Sequence, residues 1–138
     1  MGYFTVARGD FSSLDNNYKE IGRKEKMKVI KIKELPEVTP PNHYNMTSRW
    51  VVDESIGAKT MRISQGHLEP SGVVKAHSHE NMEQLFIVLK GALLMKSEQE
   101  EVRIEEEEAV LIYPGESHAT SADNEAVDYL VVTGFNYS

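Results

Sequence analysis

From Tyr44 onward the apolar residues fall in short runs that alternate with polar ones, and turn-forming residues cut the runs apart. Asn45–Asp53, Lys59–Leu68, Glu83–Lys90, Ala92–Ser97, Glu101–Glu105, Ala109–Tyr113 and Val127–Phe135 each read as a strand, with β-branched or aromatic residues in most of them. Glu69-Pro70-Ser71-Gly72 suits a type I turn, and Pro114-Gly115 suits the centre of a type II turn. No stretch after residue 40 sustains a helical period over three turns. Many short strands at near-regular spacing predict an all-β fold, either a sandwich or an antiparallel barrel. In Glu83–Lys90 both registers are apolar. If Gln84 opens the inward set, Phe86 and Val88 follow it, and Leu85, Ile87 and Leu89 pack on the other face.

Residues 1–26 differ from the rest. Gly9 to Asn17 is rich in turn formers, and Tyr18 to Lys28 is mostly charged. Met27-Lys28-Val29-Ile30-Lys31-Ile32 reads like a chain start leading into a strand. Two readings follow: an upstream extension ahead of a natural start at Met27, or an arm that packs on a partner subunit. Residues 27–138 form the expected single domain. The segment Glu37 to Asn42, with Pro36 beside it and Pro40 and Pro41 within it, reads as a connector.

Composition narrows the functional classes. The 138 residues carry a formal net charge of −7, which argues against a nucleic-acid partner and against an anionic membrane surface. No apolar run is long enough to span a bilayer. With no cysteine, neither disulfides nor thiolate ligands are available, which fits a reducing cytoplasm. The acidic runs Glu98–Glu101 and Glu105–Glu108 read as solvated hairpin and strand edges, where charge also discourages edge-to-edge association.

Three of the five histidines fall in two clusters: His77-Ser78-His79, and His118 in Pro114-Gly115-Glu116-Ser117-His118. Imidazoles two positions apart share a face on an extended strand. A third imidazole and an amide oxygen from nearby strands would then complete much of a metal's coordination sphere. Gln84 is the expected oxygen donor and Glu83 the competitor of opposite parity. His43 and His67 read as structural or surface groups, although His43, close to Pro40 and Pro41, could reach a barrel mouth.

Gly72, His77, His79, Gln84 and Gly91, followed by Pro114, Gly115 and His118, resemble the two motifs of the cupin family. The resemblance covers roughly residues 45–135. It implies a small antiparallel jelly roll that binds one metal through His77, His79, Gln84 and His118. Six residues intervene between Gln84 and Gly91, as in the family motif; Glu83 would leave seven. Three positions depart from the pattern. Glu108 and Ala122 replace the usual glycine and asparagine of the second motif, and the Gly72 to His77 spacing is one residue short. Cupins also commonly pair, which implies a homodimer, and the segment Val29 to Leu35 could cross to the partner.

Imidazole ligands suit a divalent transition metal such as Zn, Fe, Ni or Mn. Three neutral imidazoles and an amide cancel none of its charge. Such a centre attracts anionic oxygens and acts as a Lewis acid. The expected function is therefore lyase or isomerase chemistry on a small anionic oxo-acid or sugar acid. Lys75 and Arg62 are candidate carboxylate handles and Tyr113 a candidate proton donor. An Fe(II)-dependent dioxygenase and a non-catalytic small-ligand binding or sensing protein are the alternatives.

Overall fold

A computed structural model describes residues 27–135, so the extension or arm expected at 1–26 lies outside the described residues. A compact unit begins at Lys31. Among the described residues the regular structure is eight strands and two short 3-10 turns, Ile32–Glu34 and Glu54–Ile56. The strands are β1 (His43–Val52), β2 (Met61–His77), β3 (Met82–Lys90), β4 (Leu93–Lys96), β5 (Glu101–Ile104), β6 (Ala109–Ile112), β7 (His118–Ala122) and β8 (Val127–Phe135). They pair in the order β5-β4-β7-β2-β8-β3-β6, with β1 also on β2. Every pairing is antiparallel. This is the expected all-β, antiparallel jelly-roll barrel. No described helix is long and apolar enough to cross a membrane.

The sequence reading and the structure differ at two elements. Glu69-Pro70-Ser71-Gly72 does not reverse the chain. β2 runs through it as one strand, whose first half pairs with β8 and whose second half pairs with β7. The turn-forming residues instead make a corner: Ser71 takes φ 67°, and Asn45 on the facing strand takes φ 52° at a register shift. Both strands bend together, and β2 passes from its pairing with β8 to its pairing with β7. The second difference is β7, which the hydrophobic pattern did not mark. Its sequence, His-Ala-Thr-Ser-Ala, carries no large apolar residue, yet it sits buried between β2 and β4.

Register shows where the core lies. On β2, β8 and β3 the inward positions line up as Arg62–Thr133–Gln84, then Ser64–Val131–Phe86, then Gly66–Tyr129–Val88, and last Leu68–Val127. Leu68, Val88, Leu93 and Val127 are fully buried and join Met95, Ile104 and Ile112 in one cluster. Each such side chain contributes about 1.5–3 kcal/mol through burial. Aliphatic packing thus closes one end of the barrel, and polar inward positions gather toward the other. The Gln84, Phe86 and Val88 register does face inward, while Leu85 and Ile87 are only partly covered and Leu89 is exposed. The acidic runs are solvent-exposed turns and edges, as expected.

On the outer face of the barrel, His67 of β2 is held between two carboxylates. Its Nδ1 donates to Asp128 Oδ1 at 2.6 Å, directly across the β2–β8 register, and its Nε2 lies 3.3 Å from Glu69 Oε2. The hydrogen bond to Asp128 raises the imidazole pKa above its usual value, against the opposing effect of burial. Folding therefore favours the imidazolium. Its contribution is fully present below about pH 6.5 and is lost as pH rises through the higher folded-state value. Urea melts from pH 5.5 to 8.5 should show a midpoint that declines across that window. His67→Gln should flatten the decline, and an unchanged slope in that variant would refute the assignment.

Candidate metal centre

The site begins with a cross-strand pair. His77 at the end of β2 lies directly opposite His118 at the start of β7, which brings their ring centroids to 4.5 Å. Directly opposed residues on antiparallel strands have Cβ atoms about 4.5–5.5 Å apart, so this contact follows from register alone. His79 is not on the strand, as its spacing had suggested. It stands two residues beyond, in the connection to β3, with its ring centroid 4.9 Å from His77 and 5.8 Å from His118. Its backbone is anchored by the Pro114-Gly115 turn, where the Gly115 amide donates to the His79 carbonyl at 2.7 Å. That turn is type II as expected: Gly115 has φ 84°, and the Glu116 amide donates to the Tyr113 carbonyl at 3.1 Å. The turn that delivers His118 therefore also positions His79.

Backbone contacts orient two of the rings. His77 Nδ1 donates to the Lys75 carbonyl at 2.9 Å, and His118 Nδ1 donates to the Glu116 carbonyl at 3.0 Å. Each bond uses Nδ1–H and leaves the Nε2 lone pair free, as metal-binding histidines require. Ligand atoms of His77, His79 and His118 lie within 4.8 Å of one another. His118 is 1% exposed, and its Nε2 is buried without a hydrogen-bond partner. Gln84 Oε1 is likewise buried and unpartnered, while its Nε2 donates to Thr133 Oγ1 at 3.2 Å. Two buried orphan acceptors are costly unless something electropositive meets them. A divalent cation fits this donor set.

Electrostatics agrees. Burial lowers the pKa of His79, helped by the neighbouring charges of His77 and Arg62. Burial also lowers that of His118, against its hydrogen bond to the Glu116 carbonyl. Both rings are held in the neutral form that ligation needs. Glu83, the competing oxygen donor, is exposed on the outer face of β3.

A cavity of about 220 Å³ adjoins the cluster, and His77, His79 and Gln84 line it. Arg62 lines it too, its guanidinium lying 5.8 Å from the Trp50 ring and 5.0 Å from the Phe135 ring. His43 also lines it, with Nδ1 donating to the Pro41 carbonyl at 2.7 Å. The other carboxylate handle expected, Lys75, and the expected proton donor, Tyr113, lie elsewhere. Lys75 is exposed, with Nζ 5.4 Å from the Tyr44 ring. A register shift between Val74 and His77 breaks the alternation, so Lys75 and His77 do not share a face. Tyr113 is 61% exposed and does not line the cavity. Sequence reading missed Tyr129, Thr120, Ser48 and Ser64, all of which face the cavity. They carry no motif. The available signal was parity, since Tyr129 and Thr133 share the inward register of β8 with Val127 and Val131.

The family model for the cupin domain matches residues 65–133. No curated protein matches the chain in sequence. Among solved structures, the polyketide cyclase RemF from Streptomyces resistomycificus is 23% identical, with a TM-score of 0.71 over 81% of this chain and 86% of that one. A predicted oxalate decarboxylase from Thermotoga maritima is 19% identical, with a TM-score of 0.70 over 78% of this chain and 99% of that one. KdgF from Halomonas sp. is 15% identical, with a TM-score of 0.68 over 79% of this chain and 95% of that one. Likeness at these identities shows the fold alone.

Equilibrium dialysis with elemental analysis should find one zinc per chain. His118→Ala should weaken zinc binding by more than about 100-fold, beyond the 10- to 100-fold typical of an outer-shell loss. Glu83→Gln should leave it unchanged. Because burial lowers the pKa of His79 and His118, zinc should stay bound at pH 6.5 and be released only at lower pH. Zinc binding that survives His118→Ala would eliminate this centre.

Proposed function

The chain belongs to the cupin family, and on that premise we propose that it is a metal-dependent lyase or isomerase acting on a small organic anion, an oxo-acid or a sugar acid. His77, His79, Gln84 and His118 are the proposed ligands, and the resident ion is one of Zn, Fe, Ni or Mn. One observation carries the reading. The chain has 22 Asp and Glu, yet among the described residues no carboxylate lines the cavity beside the histidine cluster, whereas Arg62 and His43 do. A strongly acidic protein that excludes carboxylates from one cavity has built a place for a negative ligand.

A divalent ion bound by neutral donors would supply stabilisation to an oxygen that gains negative charge. The chain's own groups supply the rest. Arg62 is flanked by the faces of Trp50 and Phe135, and its ion pair with the exposed Glu54 is 3.7 Å long. Its fork of donors is therefore available to a carboxylate. His43 commits Nδ1–H to the Pro41 carbonyl, which presents Nε2 at the cavity as a proton acceptor. The cavity is smaller than the roughly 300–1,000 Å³ of sites for drug-sized ligands, which favours a small metabolite.

The homodimer remains part of this proposal. Leu111, Leu85, Val132 and Ile63 stand in register across β6, β3, β8 and β2 on the outer face, an aliphatic row that a second copy would cover. A cytoplasmic location is the accompanying expectation.

Zinc-loaded protein should bind small carboxylates by calorimetry, and Arg62→Gln should weaken that binding by about tenfold or more. Iron-loaded protein in an oxygen electrode should show no substrate-dependent oxygen uptake across an organic-acid panel. Uptake would replace this reading with a dioxygenase. Light scattering should report a dimer that Leu111→Glu converts to monomer.

A further inference from the structure

Among the described residues, hydroxyl groups deep in the cavity lack oxygen or nitrogen partners. Thr120 is 4% exposed and its Oγ1 is buried without a hydrogen bond. Tyr129 is 2% exposed, and its hydroxyl bonds to no described residue. Ser64 makes no side-chain hydrogen bond among the described residues, and Ser48 reaches only the Met46 sulfur at 3.7 Å. All four residues line the cavity. They lie inward of the charged level. Ser64 stands one inward position beyond Arg62 on β2, and Tyr129 pairs with Gly66, the position after that.

Nothing about packing requires these oxygens. The Tyr129 ring lies over Gly66, where a Cβ would come within 2.5 Å of the ring, and it stacks on Phe86 at 6.1 Å between centroids. A phenylalanine would fill the same space without setting a hydroxyl at the cavity. Phenols in a protein interior ordinarily find a partner, and Thr120 Oγ1 is an unpaired buried polar group of the kind folding disfavours. Burial also pushes the Tyr129 pKa up, so the group stays a neutral O–H donor at any physiological pH. At about 30 Å³ each, on the order of seven water molecules would fit in 220 Å³. A ligand that displaces such water must replace its hydrogen bonds or lose affinity.

We propose that the cavity selects a polyhydroxylated carboxylic acid over a plain carboxylic or keto acid of equal charge, with Tyr129 and Thr120 as specificity-determining residues. The proposal rests on the reading of the site as an anion-binding metal centre. The carboxylate is held at the level of Arg62 and the histidine cluster, and the hydroxyls of the ligand point inward to Ser64, Thr120 and Tyr129. A site built to hydrogen-bond hydroxyls discriminates strongly against an analogue that lacks them, because its own buried groups are then left unpaired.

The test is calorimetric titration of the full-length, zinc-loaded protein with D-gluconate, hexanoate and pyruvate, which carry the same charge. Gluconate should bind at least about tenfold more tightly than hexanoate or pyruvate. Tyr129→Phe, which keeps the ring over Gly66, and Thr120→Val should each cut the gluconate-to-hexanoate ratio by about threefold to tenfold. Equal zinc content would show that the variants keep their centre. Equal binding of all three acids, or ratios unmoved by both variants, would overturn this proposal and leave the anion-binding reading intact. Failure of all three acids to bind a zinc-loaded protein would overturn that reading and this proposal together.

Discussion

The antiparallel register that sets His77 against His118 is the constraint on which the rest of the site depends. Two chain segments some forty residues apart are brought edge to edge, and the imidazoles meet because opposed strand positions have no other place to put their side chains. The local backbone then does the chemistry's preparatory work. In both residues the ring nitrogen nearer the main chain is bound to the carbonyl two positions back, so the far nitrogen faces the shared space. The third ring arrives by a different route, through a loop tied to the turn that launches β7. One strand pairing and one turn hydrogen bond therefore assemble all three imidazoles.

The barrel divides along its length, and that division makes the site habitable for polar groups. Fully buried aliphatics fill one end, where Leu68, Val88, Leu93 and Val127 exclude water. Toward the other end the same strands present Ser64, Thr133, Gln84 and Arg62 inward. The core supplies the stability against which buried hydroxyls and an orphan amide oxygen can be tolerated. Charge is partitioned as well: among the described residues no carboxylate lines the cavity, whose lining is neutral or basic.

β2 links these features. It is long enough to pair with two strands in succession, carrying Arg62 and Ser64 in the half paired with β8 and His77 in the half paired with β7. The corner at Ser71, matched by Asn45, lets one strand do this without a break in chain direction. The register shift just before His77 then decides which neighbouring side chain enters the cavity, and it leaves Lys75 outside.

By itself the sequence determined the all-β class, the seven described strands other than β7, the Pro114-Gly115 turn and the identity of the clustered histidines, because those depend on local side-chain chemistry and short spacings. Parity could not choose between Gln84 and Glu83, since both registers of the strand are apolar; the spacing to Gly91, matched to the cupin motif, favoured Gln84. Tertiary structure alone decided the rest. β7 was illegible because small and polar residues carry no hydrophobic signature, and its burial comes from neighbours far along the chain. Lys75 was misplaced because a bulge cannot be seen in an alternating pattern, and Tyr113 because nothing local says which way a side chain beside a turn points. Tyr129 and Thr120 passed unnoticed for the same reason: which hydroxyls line a cavity, and that Thr120 Oγ1 is left there without a partner, depends on what the other strands bring alongside.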